Sequence, residues 1–108
     1  MAALTQDISK IVSARIKREP ELALGLLDDA LSLFLNGEPD VARLVLRDVV
    51  NGTIGFSELA TMTSCTVEQL DQMLSANGDP KMGELTKNLA VLRRELRVEI
   101  QVQSVACA

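Results

Sequence analysis

Two successive segments of this chain open on proline and close on Asn-Gly: Pro20 to Asn36-Gly37, then Pro39 to Asn51-Gly52. Proline tolerates the first position of a helix, where its missing N–H would lack an intrahelical acceptor anyway, and glycine accepts the left-handed residue that commonly ends one. The punctuation predicts a helical hairpin over residues 20–52. Leu22, Leu26, Leu27, Ala30, Leu31, Phe34 and Leu35 make a broad apolar face on its first helix, and Ala42, Val45, Leu46 and Val49 make one on its second. Upstream, Ile8, Ile11, Val12 and Ile16 recur at helical spacing, which predicts a helix over residues 5–17, capped by Thr5 and stopped by Pro20.

The next stretch changes scale. Phe56, Leu59, Ala60 and Met62 fit a short helix with Ser57 as a candidate cap, and Thr63-Ser64-Cys65 breaks it. Thr66-Val67-Glu68-Gln69 then reads as a capping box, in which the threonine hydroxyl and the glutamine amide satisfy each other's free backbone donors. Leu70, Met73 and Leu74 give the following helix its buried side. Two short helices around a tight turn predict a helix-turn-helix over residues 56–75. Ala60 is expected where the two helices cross closely.

Asn77-Gly78-Asp79-Pro80 ends that unit, and Leu85, Leu89 and Leu92 mark a last helix over residues 81–95. Beyond it Leu96, Val98, Ile100 and Val102 alternate with Arg97, Glu99, Gln101 and Gln103, a period-two pattern that predicts a strand over residues 96–103. No other segment offers a strand to pair with it. The expected remedy is a second copy of the chain, with these four apolar residues at an antiparallel dimer seam whose two-fold axis passes through either Val98 or Ile100. The expected fold is thus mainly α, a single-domain bundle of five to six helices with a helix-turn-helix and a short C-terminal β-strand, the residues dividing as 1–18, 20–52, 56–75, 81–95 and 96–103.

Composition narrows the function classes. Of 108 residues 47% are hydrophobic but only 2% aromatic, so the core must be aliphatic. The chain has no histidine, and Asp28-Asp29 are neighbours on a helix, where they do not converge on one site. Cys65 has no histidine base beside it, and Gly52-Thr53-Ile54-Gly55 lacks the lysine of a phosphate-binding loop. With Cys65 and Cys107 not spaced for a metal, neither a metal site nor a cofactor is expected. No apolar run reaches the length of a bilayer span, and the first ten residues lack the pattern of a secretory signal. A cytoplasmic binding protein, not an enzyme and without a membrane partner, is the expectation.

Taken in order, Glu19-Pro20-Glu21, Leu46-Arg47-Asp48-Val49, Glu58-Leu59-Ala60, residues 70–74, Ser75-Ala76-Asn77-Gly78-Asp79-Pro80 and Leu96-Arg97-Val98 resemble the addiction-module antidote (HigA-like antitoxin) family of helix-turn-helix proteins. The resemblance covers roughly residues 17–102. It implies a lambda-repressor-like helix-turn-helix in a cytoplasmic homodimer that binds operator DNA, represses its own operon and neutralises a small partner toxin. Carried over by motif, Thr66, Val67, Glu68, Asp71, Gln72 and Ser75 would face the bases. Two departures stand out. Ser64 occupies a turn position where the family commonly has glycine, and Thr66-Val67-Glu68 stands where it usually reads Ser-Arg-Glu.

From Thr53 to Asp79 there is no lysine or arginine, against four carboxylates, and the chain's formal charge is −4. Glu68 and Asp71 would meet a polyanion, so cations for phosphate contacts must come from outside the motif. Lys81 and Lys87 beside it, and Arg43 and Arg47 on the preceding helix, are the candidates. Arg47-Asp48 also fits a simple ion pair, and the run Ser13 to Arg18 fits a solvated face. The alternative to a repressor is a protein-binding helical module that keeps the fold without operator recognition.

Overall fold

The computed structural model describes the backbone of residues 2–108 and the side chains from Ile8 onward. It contains six helices: α1 (Ala2–Arg18), α2 (Pro20–Leu35), α3 (Pro39–Gly52), α4 (Phe56–Met62), α5 (Val67–Met73) and α6 (Met82–Leu96). Both prolines sit at the first helical position, and Gly37 takes the left-handed φ of 84° that ends α2. α1 already runs through Thr5, so that residue lies inside the helix and does not cap it. Ser57 is likewise inside α4, whose entry residue is Gly55 at φ 85°.

α2 and α3 form the predicted hairpin, and α1 packs across α3. Where α1 crosses the end of α3, a Cβ on Gly52 would lie 2.6 Å from Cβ of Ile16. The glycine read as a stop signal therefore also permits a close helix crossing. The core is aliphatic and draws on α2 through α6: Leu27 and Ala30, Leu46 and Val50, Leu59 and Ala60, Leu70 and Leu74, Val91 and Leu92 are all buried. Each buried leucine contributes roughly 1.5–3 kcal/mol relative to its exposed state.

The turn between α4 and α5 is a left-handed helix cap. Ser64 has φ 58°, and the Cys65 N–H donates to the Ala60 carbonyl at 3.0 Å, the bond from five residues on that marks such an ending. Here a serine occupies the conformation that glycine takes at least cost. α6 ends in the same way at Arg97, with φ 56° and the Val98 N–H donating to the Arg93 carbonyl at 3.1 Å.

The expected C-terminal strand is not present among the described residues. A strand needs a ladder partner, and this chain has none to offer, so the segment after Arg97 continues without regular structure. Its alternation is spent differently. Leu96, Val98 and Ile100 turn partly inward, Leu96 and Ile100 against the core, while Arg97, Glu99 and Gln101 remain exposed. The inward set stops there, because Val102 is 68% exposed. Residues 100–105 border α2 across a cleft that also touches Leu31 and Leu35.

Candidate nucleic-acid interface

α5 is seven residues long and is set by its two ends. At the start, the Thr66 hydroxyl accepts the Gln69 N–H at 3.0 Å while the Gln69 side-chain oxygen accepts the Thr66 N–H at 2.9 Å. At the other end, two arginines of α3 gather the carbonyls that the helix leaves free. Arg43, only 5% exposed, donates to the carbonyls of Ser75 and Ala76 at 3.0 Å each and to the Asp40 carboxylate at 2.7 Å. Arg47 donates to the carbonyls of Asp71 and Leu74 at 3.3 and 3.4 Å, pairs with the Asp71 carboxylate, and lies 5.0 Å over the Phe56 ring. Guanidinium groups suit this work because their planar fork reaches several acceptors at once.

Of the six side chains expected to face outward, five are exposed, Thr66 at the cap of α5 and Val67, Glu68, Asp71 and Gln72 along it. The Thr66 hydroxyl is committed to the cap, and the half-buried Ser75 hydroxyl donates to the Gln72 carbonyl at 2.8 Å. Asp71 is matched by Arg47, which leaves Glu68 as the exposed carboxylate of α5 without such a match in the surrounding geometry. A salt bridge this exposed holds its partners only weakly in energy, typically by under about 1 kcal/mol.

The four expected phosphate-contacting cations also separate. Arg43 is buried and occupied by two backbone carbonyls and Asp40, so it presents no surface to a phosphate. Arg47 is part-exposed but engaged with α5. Lys81 and Lys87 are exposed at the start and middle of α6. Lys87 shares a groove of about 610 Å³ with Glu68, Gln69 and Gln72 of α5 and Glu84 of α6. Asn88, 1% exposed, lies at the same groove and donates to the Met73 sulfur at 4.0 Å.

On the opposite side of Arg47 the structure assembles a group that the residue pattern did not single out. Lys10, Ser13 and Lys17 of α1 face Arg47 and Asn51 of α3 across a groove of about 670 Å³, with Ser9 at its end. Their spacing of three and then four residues is one helix face, a signal that was available in the sequence. What it could not supply was the packing of α1 onto α3 that brings this face beside α5. The Ser9 hydroxyl donates to Asp48, half-buried under α1, and burial pushes the Asp48 carboxyl up from its usual range against the opposing pull of Ser9 and Arg47.

Of the four residues expected at a dimer seam, Leu96 and Ile100 already pack against the core and Val98 is half-buried. Val102 alone is largely open to solvent. Among the described residues there is no group of histidine, cysteine or carboxylate side chains placed to hold a metal ion, and no helix is long and apolar enough to cross a membrane. No family model matches the chain, and neither a curated protein nor a solved structure matches it.

Proposed function

We propose that this chain is a non-enzymatic, sequence-specific DNA-binding regulator that presents α5 to the major groove. The observation that carries the reading is the exposed α5, held at both ends by the Thr66–Gln69 cap and by Arg43 and Arg47, with Val67, Glu68 and Gln72 free on its outer side. A reading helix needs such rigidity, because base contacts discriminate only when their side chains are held in place. In this role Gln72 pairs with adenine, Val67 meets a thymine methyl and Glu68 accepts from a cytosine amine. Lys81 and Lys87 contact phosphates. The antitoxin-type assignment follows from the resemblance in the ordered stretches between Glu19 and Val98. It brings operator DNA, a second copy of the chain and a small toxin as partners, autoregulation as the role and the cytoplasm as the place.

The groove between α5 and α6 favours a second reading. With Glu68 and Glu84 on its walls against the single cation Lys87, it suits a basic protein segment better than a polyanion. A titration of the chain against its own upstream DNA at two salt concentrations separates the two. Retardation that favours this fragment over unrelated duplex supports the regulator, and none even at low salt supports the protein-binding module.

A further inference from the structure

The groove between α1 and α3 gathers basic side chains on an acidic chain. Lys10 and Lys17 stand on its α1 wall, and the hydroxyls of Ser9 and Ser13 and the amide of Asn51 add hydrogen-bonding groups. Arg47 closes the side next to α5, and among the described residues no carboxylate lines the groove. Among the described residues Asp71 and Asp48 lie at its margins, and both are engaged: Asp71 with Arg47, and Asp48 as acceptor of the Ser9 hydroxyl. Lys10 and Lys17 are seven residues, two helical turns, apart on one helix, about 10.5 Å along its axis.

We propose that this groove is a phosphate-backbone binding site, in which Lys10 and Lys17 take phosphodiesters of the strand flanking the bases read by α5. Ser13 and Asn51 donate to the same phosphate oxygens. The site rests on the DNA-binding reading and adds to Lys81 and Lys87 a second set of cations adjoining an acidic recognition helix. Arg47 joins the two, since it lines the groove and pairs with Asp71 of α5. A phosphate entering the groove competes with Asp71 for that guanidinium, and the electrostatic cost of Asp71 near DNA is met by Arg47 as long as the pair holds.

The test is fluorescence anisotropy of a labelled duplex carrying the chain's own upstream sequence, and of a scrambled duplex of equal length, over about 50–200 mM salt. The Lys10→Ala/Lys17→Ala variant should weaken binding to both duplexes alike and flatten the log–log salt slope by about two units, near 0.9 for each phosphate no longer neutralised. Arg15→Ala/Arg18→Ala removes the same charge from the same helix outside the groove and should leave the slope at its wild-type value. Lys10→Gln/Lys17→Gln repeats the test with less change in side-chain length, and melting followed by circular dichroism verifies that each variant folds. A wild-type slope in both lysine variants overturns the groove while leaving the DNA reading intact. Equal flattening in the lysine and arginine variants also overturns it, because net charge alone then accounts for the effect. Wild-type protein that binds neither duplex removes the DNA reading and the groove together.

Discussion

The arginines of α3 and the lysines of α1 carry the same charge and do opposite work. Arg43 and Arg47 turn inward to the end of α5, where they meet backbone carbonyls and the carboxylates of Asp40 and Asp71. Lys10 and Lys17 are exposed beside a groove that, among the described residues, no carboxylate lines. A net charge of −4 conceals this division. What decides the role of a cation here is which acceptors the packed helices bring within its reach. The carbonyls at the end of α5 take hydrogen bonds from the guanidinium groups of α3, while the lysines of α1 are exposed.

The largest effect that would expose this difference is on stability. Arg43→Ala should lower the unfolding free energy by about 2–4 kcal/mol, since it removes a buried side chain and the charged hydrogen bonds that it gives to the carbonyls of Ser75 and Ala76. Lys10→Ala and Lys17→Ala should each change it by less than about 0.5 kcal/mol in the same urea titrations. Equal, small losses for all three would mean that Arg43 is not the clamp its contacts describe.

Gly52→Ala probes the wall that carries the lysines. The new methyl meets the branched Cβ of Ile16, which cannot swing aside as the end of a flexible chain can. α1 must shift, at a cost of about 1–3 kcal/mol, and thermal melting should show it. A melting point unchanged from wild type would place α1 elsewhere.

A smaller effect is expected where the two sets of cations meet. Asp71→Asn releases Arg47 and removes one negative charge from α5, so it should tighten duplex binding about two- to fivefold, the scale of an exposed ion pair. In an Arg47→Ala background the gain should shrink, and a gain of the same size there would show that Asp71 acts on DNA alone.

The smallest is a change in pH dependence. Because burial raises the Asp48 carboxyl, the folded state binds its proton more readily than the unfolded chain does. That contribution favours the fold fully below the ordinary aspartate range and fades as pH rises through the elevated folded value. Asp48→Asn should remove this share of the decline, so its stability relative to wild type should rise from acid toward neutral pH. A constant difference between the two proteins across that range would contradict the assignment.

Much of the helical layout could be read from local signals. Pro20 and Pro39 start helices for a reason confined to their own backbone, and the Thr66–Gln69 box closes within four residues. Ser64 is visible in the sequence as a departure from glycine, but only the folded turn reveals that it bears a left-handed φ. The residues at 96–102 show the limit of periodicity. An alternating pattern specifies one inward face, which the core of this chain accepts at Leu96 and Ile100 without any ladder. For the candidate interface, the residues expected on the outer side of α5 came from the resemblance to a helix-turn-helix family. The fate of the cations did not, because Arg43 reaches carbonyls 32 and 33 residues away and the lysine groove exists only once α1 lies on α3.

The central claim is that α5 and the groove beside it form one DNA-binding face. Two-dimensional NMR of the labelled chain, titrated with its upstream duplex, tests that most directly. The account predicts amide shifts at Val67, Glu68 and Gln72 together with Lys10, Ser13 and Lys17, and little change along α2 and residues 100–105. Shifts confined to the cleft between α2 and the C-terminal segment, or no shifts with any duplex, would contradict it.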